Sequence, residues 1–199
     1  MKIPRSLPQG YVDAFVKIVS RIAAGMPDTL KEPVRMYIAG GAATFMYTGV
    51  RVSADIDAAF SRRVALPTEL EVAYRDQDGT LRTLYLDRQY NDAFGLLHQA
   101  AHDDSIALQV DGVDPAKFEV RLLSPTDLAV SKIARFADPD QADIAQLARI
   151  GLIETESVRA RALESLPDFV GNVAALKTSI DLACKLIAKN APRPGKPRV

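Results

Sequence analysis

A predicted strand that runs directly into two glycines constrains the fold of this chain more than any other feature of the sequence. Residues 34–39 predict a strand, Gly40 and Gly41 follow at once, and residues 42–47 predict a short apolar helix that ends at residues 48–49. The first N–H groups of a helix have no partner within it, and glycine leaves them open to an anion such as a triphosphate. A strand–glycine–helix unit of this kind favours an α/β layer.

Strand patterns continue to residue 123, and helical patterns follow. An amphipathic helix is predicted over residues 11–24. Further strands are predicted over residues 52–60, 69–75, 81–87, 105–110 and 117–123. Ser124 begins a helix, because its capping hydroxyl is followed by Pro125 and then, three residues after the cap, by the carboxylate of Asp127.

The predicted fold class is therefore α/β (α+β), with a mixed β-sheet core followed by a C-terminal helical subdomain. The core and its N-terminal helix cover residues 1–123, and the helical subdomain covers residues 124–189. Residues 190–199 form a basic, proline-rich tail that we expect to be disordered.

Composition excludes several classes of protein. With 199 residues, of which 48% are hydrophobic, the chain can bury a core without disulfides, and its single cysteine, Cys184, excludes a disulfide scaffold. No apolar run approaches the roughly 18–20 residues of a membrane span, and residues 1–5 lack the apolar stretch of a signal peptide, so no membrane partner and a cytoplasmic location are expected.

The net charge is zero, but it is unevenly distributed. Residues 1–35 carry a charge of +3 and residues 172–199 carry +5, so the middle of the chain carries −8. A neutral total argues against a protein that binds duplex nucleic acid mainly through its electrostatic field. An acidic middle with basic ends fits a metal–carboxylate site flanked by phosphate-attracting segments, and it also fits solvated helix faces.

Two carboxylates stand two positions apart in the strand predicted over residues 52–60. Alternation along a strand places Asp55 and Asp57 on one face and Ile56 on the other, towards the core. Adjacent carboxylates repel each other unless a cation lies between them. Mg²⁺ or Mn²⁺ that also contacts phosphate oxygens is the ion that fits this pair.

The order of these features carries a resemblance. The ordered combination of strand, Gly-Gly, short helix and Arg-x-Ser-x-Asp-Ile-Asp on a second strand, over residues 39–57, resembles the nucleotidyltransferase superfamily with the DNA polymerase β-like fold. Within that superfamily it is most similar to the AbiE-type abortive-infection branch. A second block, over residues 123–147, is similar to that branch: a Leu-Ser-x-x-Asp-Leu helix with a lysine and an arginine, followed by Asp140 and Asp143. One departure is Ala58-Ala59, where a large apolar residue is common in the branch.

The resemblance implies roles for individual residues. It implies nucleotide binding by Gly40, Gly41, Arg51, Ser53 and Arg135. It implies a catalytic set of Asp55, Asp57, Asp87 and Lys132, with Asp55 and Asp57 as metal ligands. Arg135 is expected to pair with Asp140 or Asp143, whereas Lys132 is expected outside the core, within roughly 8 Å of the carboxylate pair, where its ammonium offsets phosphate charge.

The third carboxylate of the superfamily has two candidates. Asp87 ends a predicted strand, and Glu119 lies in the middle of another. A short carboxylate at a strand end holds a metal more tightly, which favours Asp87, and a site without a third ligand stays open. His98 and His102 have the one-turn spacing of a metal pair, but no cysteine cluster or glutamate completes a zinc site around them.

The resemblance implies an enzyme that transfers a nucleoside monophosphate from an NTP to an acceptor hydroxyl. The favoured acceptor is RNA, at the end of a tRNA, in which case the chain is the toxin of a toxin–antitoxin or abortive-infection system with a cognate antitoxin protein as partner. A protein side chain or a small molecule is the other acceptor considered. The alternatives are an antitoxin-type enzyme that adenylylates a partner protein and a catalytically silent nucleotide- or partner-binding module.

Overall fold

The computed structural model describes residues 1–27, 29–92 and 95–192, which divide into two compact units. The first unit comprises Met1–Tyr90 and Ser105–Leu122, and the second comprises Asn91–Asp104 and the described residues from Leu123 onward. The described residues form a six-stranded mixed sheet and six α-helices, so the predicted α+β class is confirmed. The predicted disorder of the tail lies, from residue 193 onward, outside the described residues.

The first unit contains the whole sheet and two helices. Its elements are α1 (Gln9–Ala24), β1 (Val34–Ile38), α2 (Gly40–Thr48), β2 (Asp55–Phe60), β3 (Glu71–Arg75), β4 (Leu81–Asp87), β5 (Ile106–Leu108) and β6 (Phe118–Leu122). The strand order is β3-β4-β2-β1-β6-β5, in which β2 pairs parallel with β4 and antiparallel with β1. Strand β2 therefore lies between the strand that leads into the glycine pair and the strand that ends at Asp87.

The two faces of the sheet differ in polarity because apolar and polar side chains alternate along the strands. One face carries fully or nearly fully buried apolar residues, among them Met36, Ile38, Ile56, Leu84 and Val120. Helix α1 packs against β3 and β4, and α2 packs against β2. The other face carries the carboxylates of β2 together with exposed side chains of β3 and β4 such as Glu71 and Tyr85. This polar face positions the candidate site.

Tyr11, on the buried side of α1, has an unusual environment. Its ring makes edge contacts with Phe45 and Tyr74 at centroid distances of 4.8 and 5.9 Å. Its side chain is fully buried, and its hydroxyl has no hydrogen-bond partner in the described part of the chain. Burial raises the pKa of this hydroxyl well above its ordinary value, and repulsion from Tyr74, once that residue is ionised at high pH, and from Asp55 raises it further. The hydroxyl is therefore neutral and desolvated without compensation.

Replacing Tyr11 with phenylalanine is expected to stabilise the protein by about 1 kcal/mol, because the variant no longer buries an unpaired hydroxyl. Urea denaturation measures the difference in the free energy of unfolding. The matched control is Tyr37→Phe, which removes a hydroxyl that is hydrogen-bonded to Arg35 and is expected to destabilise. A Tyr11→Phe variant less stable than the wild type would show that the hydroxyl has a partner in solution.

The second unit is helical. Its elements are α3 (Pro125–Ser131), α4 (Asp138–Arg149), α5 (Thr155–Glu164), a short 3₁₀ helix (Leu166–Asp168) and α6 (Val173–Asn190). The predicted start of α3 is confirmed, because the Ser124 hydroxyl accepts a hydrogen bond of 3.1 Å from the backbone N–H of Asp127. Helix α6 packs against α4 and α5. No helix in the part of the chain that the structure describes is both long and apolar enough to cross a membrane.

A buried charge cluster fixes α3 to α5 inside this unit. The carboxylate of Asp127, which is almost fully buried, accepts hydrogen bonds of 2.7 and 3.1 Å from the Arg161 guanidinium. Arg161 also contacts Asp104 at 2.6 Å. The hydrogen bond to Asp127 raises the pKa of Arg161, which keeps the guanidinium charged despite its burial.

Cys184, on α6, is buried, and burial raises the pKa of its thiol.

Candidate functional site

The Asp55 and Asp57 carboxylates lie at the start of β2 on the polar face of the sheet. Both are half-buried, whereas Ile56 between them is fully buried on the opposite face, as alternation predicts. The backbone carbonyl of Asp57 accepts a hydrogen bond of 2.9 Å from the N–H of Ala39, the residue before the glycine pair. The carboxylate pair and the start of α2 are therefore direct neighbours.

Gly40 makes room for the Asp57 carboxylate. A Cβ atom on Gly40 would lie 1.7 Å from the Oδ2 atom of Asp57, which is far inside van der Waals contact. The backbone of Gly40 also has a φ of +59°, in the left-handed region where side chains are disfavoured. Both the conformation and the close approach require glycine, so the first glycine of the pair positions a carboxylate as well as opening the helix start.

Gly41 makes room for the group that orients the other carboxylate. A Cβ atom on Gly41 would lie 2.4 Å from the hydroxyl oxygen of Ser53 and 3.2 Å from the Nη2 atom of Arg51. The buried Ser53 hydroxyl donates a hydrogen bond of 2.5 Å to the Oδ1 atom of Asp55. Hydrogen bonds to carboxylates are among the stronger ones in proteins, so Ser53 holds Asp55 in place.

The start of α2 favours an anion. The N-cap residue of this helix is Ala39, whose side chain has no group that could cap it. The first N–H groups and the helix dipole give the N-terminus a partial positive charge. The Arg51 guanidinium lies near the same helix start, as its distance from Gly41 shows. A helix start with an arginine beside it can bind a phosphate oxygen.

Of the two candidates for a third carboxylate, Asp87 is the one beside the pair. It is the register partner of Asp57 in the parallel pairing of β2 with β4, so their Cα atoms are about 4.8 Å apart. Glu119 is on β6 and forms ion pairs with Arg35 and Arg121 at 3.2 and 2.6 Å. Its register partner on β1 is Arg35, which is four residues before Ala39.

The carboxylates fit Mg²⁺ as ligands that share the ion with a nucleotide. Among the described residues, no group of three or more histidine, cysteine, aspartate or glutamate side chains is arranged to hold a metal ion. Mg²⁺ in phosphate-transferring sites is held by one or two carboxylates together with substrate phosphates, rather than by a closed protein cage. Two aspartates on one face beside an anion-binding helix start match that arrangement.

Two predicted site residues lie in the helical unit, each in an ion pair. The expectation that Lys132 lies outside the core is wrong: its side chain is 6% exposed and its ammonium is 2.8 Å from the buried carboxylate of Asp143. The cause is the packing of α3 and α4, which encloses both charges. The predicted approach of Lys132 to the carboxylate pair stays a prediction. Arg135 pairs with Asp140 through two bonds of 2.7 Å, one of the two pairings expected.

The histidines that the sequence analysis set aside each face a different carboxylate. The Nε2 atom of His98 is 3.5 Å from Glu164, and the Nε2 atom of His102 is 2.9 Å from Asp92. The two histidines therefore contact separate carboxylates and do not converge on one site.

Sequence reasoning missed two features of the sheet unit. The first is the contact of each glycine with the carboxylate system, which spacing along the chain does not reveal. The second is the exposed Tyr85, the register partner of Asp55 on β4. Its alternation with the buried Leu84 and Leu86 was a visible signal that its ring faces the carboxylates' side of the sheet.

Comparison with known proteins identifies a family but no individual relative. The profile of a family described as a nucleotidyltransferase of unknown function (DUF6036) matches residues 13–173. That match supports the superfamily predicted from the motifs, whereas the narrower AbiE-type assignment stays a prediction. No curated protein and no solved structure matches the chain.

Proposed function

The chain belongs to the DUF6036 family of nucleotidyltransferases, and from that premise we propose that it transfers a nucleoside monophosphate from an NTP to a hydroxyl of an RNA, with Asp55, Asp57 and Asp87 at the reacting centre. The observation that carries this proposal is the contact of the glycine pair with the carboxylate system. Gly40 leaves space for Asp57, and Gly41 leaves space for the serine that holds Asp55. The glycine pair proposed to bind phosphates is thus in direct contact with the groups that form and orient the carboxylate pair.

The proposed reaction converts an NTP and an acceptor hydroxyl into a nucleotidylated acceptor and pyrophosphate. The acceptor oxygen forms a bond to the α-phosphorus, and the bond from this phosphorus to the oxygen that bridges the α- and β-phosphates breaks. Pyrophosphate leaves with the electron pair of that bond. Mg²⁺ or Mn²⁺, when bound, supplies charge compensation for the phosphates and activates the acceptor oxygen.

The residues of the chain have separate tasks in this proposal. Asp55 and Asp57 hold the metal, and the backbone at Gly41 together with the Arg51 guanidinium binds the β- and γ-phosphates. Asp87 receives the proton of the acceptor hydroxyl, because it flanks Asp57 on the side away from β1. Lys132 and Arg135 are proposed to bind phosphates as well.

An RNA acceptor is supported by the charge distribution of the chain. Residues 1–35 and 172–199 are both basic, whereas the middle of the chain is acidic, and basic segments bind phosphates of nucleic acid. With tRNA as the acceptor, the protein acts in the cytoplasm as the toxin of a toxin–antitoxin or abortive-infection system, controlled by a cognate antitoxin.

Incubation of the full chain with each α-labelled NTP, Mg²⁺, total tRNA and total protein tests the proposal. We expect label from at least one NTP in the tRNA fraction, and loss of that label in Asp57→Asn, which keeps the shape of the side chain. The matched control is Asp111→Asn, an exposed aspartate in the β5–β6 turn. Label in the protein fraction would support the adenylylating alternative instead, and no label in any fraction would favour a silent binding module.

A further inference from the structure

A cavity of about 560 Å³ opens on the sheet unit. Its walls come from the segment before β2 and from the β3–β4 hairpin. Tyr85 contributes to the wall and is the register partner of Asp55. The volume falls in the range of pockets that take small molecules or the ends of larger ones. Through Tyr85, the cavity therefore reaches the strand position beside Asp55.

The cavity and the glycine pair lie on opposite sides of the segment that leads into β2. Ser53 faces Gly41, whereas its neighbours Val52 and Ala54 line the cavity. In phosphoryl transfer the attacking and the leaving oxygen lie roughly in line, on opposite sides of the phosphorus. If pyrophosphate leaves at the glycine pair, the acceptor oxygen arrives from the flank of the cavity and of Asp87.

The lining of the cavity offers an aromatic ring and a carboxylate. The Tyr85 side chain is 42% exposed and offers an aromatic face. Arg82 also lines the cavity, but its charge is neutralised by Asp76 at 2.6 Å. The remaining charge is the exposed carboxylate of Glu71, the register partner of Tyr85, which has no ion-pair partner among the residues described. A carboxylate repels phosphates and accepts hydrogen bonds from amino groups.

From this lining we infer that the cavity binds the terminal nucleoside of the acceptor RNA. An amino-bearing base stacks on Tyr85 and donates to Glu71, and the ribose hydroxyl points along β4 to Asp87. Asp87 is two residues from Tyr85 on the same face of the strand, about 6.6 Å away. Aromatic stacking of this kind is the usual way in which proteins hold unpaired bases. This inference rests on the proposed function and names where its acceptor binds.

Fluorescence anisotropy with a 5′-labelled RNA hexamer ending in adenosine tests the inference without metal or NTP. We expect Tyr85→Ala to weaken binding about 10-fold or more. Glu71→Gln is expected to weaken binding of the adenosine-ended hexamer more than that of a uridine-ended one, which has a ring N3–H but no amino group. The matched control is Leu81→Ala, an apolar residue on the same strand that is 65% exposed and is expected to bind like the wild type. Free adenosine is expected to compete with the hexamer, and a lack of competition would overturn the nucleoside site.

Transfer kinetics separate this site from the NTP site. Tyr85→Ala is expected to raise the KM for the RNA and to leave the KM for the NTP unchanged. A raised KM for the NTP, or unchanged RNA binding in Tyr85→Ala, overturns the acceptor placement while the proposed function stands. RNA that binds through Tyr85 but receives no label from any NTP contradicts the proposed function and leaves the binding site in place.

Discussion

Replacement of Gly40 by alanine is expected to lower nucleotidyl transfer by about 100-fold or more, because displacement of a reacting group by about 1 Å has this effect. The new methyl group would lie 1.7 Å from the Oδ2 atom of Asp57, so the carboxylate must leave its position. The measurement is the initial rate of label transfer at saturating NTP. We expect circular dichroism to show a folded protein, because the Asp57 side chain can rotate away on the half-buried polar face.

Gly112→Ala is the matched control for this variant. Gly112 has a φ of +76°, so alanine meets the same backbone strain as at Gly40, but nothing lies within 4 Å of the added methyl group. The control is expected to lose some stability and to retain transfer. Full transfer activity in Gly40→Ala would contradict the assignment of Asp57 as a metal ligand next to the helix start.

Replacement of Lys132 by alanine is expected to destabilise the protein by about 3–5 kcal/mol. The substitution leaves the Asp143 carboxylate, whose side chain is 2% exposed, without the ammonium that lies 2.8 Å from it. Removing one partner of a buried ion pair has this effect because an uncompensated charge stays in the core. Urea denaturation measures the loss, and Lys185→Ala, an exposed lysine on α6, is the control with no expected change.

A double variant separates the structural role of Lys132 from its proposed role in transfer. In Lys132→Met with Asp143→Leu both charges are replaced by apolar side chains, so most of the lost stability is expected to return. A double variant that regains stability but still lacks transfer supports a role of the Lys132 ammonium at the phosphates. A single Lys132→Ala variant within 1 kcal/mol of the wild type would contradict the buried pair.

The elements that depend on local signals were predictable from the sequence. The strand that ends before Gly40, the short helix α2 and the capped start at Ser124 all lie where their patterns place them. The alternation of Asp55, Ile56 and Asp57 likewise gave the face of each side chain. Each of these features is decided by neighbours within a few residues, which is why one sequence suffices.

Features that depend on contacts between distant segments were not predictable in the same way. The partnership of Asp57 with Asp87 follows from the register of β2 with β4, which turns and packing fix. The burial of Lys132 depends on how α4 packs over it, and its charge indicated a surface position. Residues 91–104, between strands in the sequence, cluster with the helical unit, whereas the predicted boundary lay at residue 123.

Binding of a non-hydrolysable NTP analogue, measured by titration calorimetry with and without Mg²⁺, tests the central claim most directly. The claim is that the carboxylates of β2 and the start of α2 form one metal-dependent nucleotide site. We expect the wild type to bind the analogue only with Mg²⁺, and Asp57→Asn, with its fold intact by circular dichroism, to show no binding in either condition. Equal binding by the variant and the wild type, or binding by the wild type that is independent of the metal, would contradict the claim.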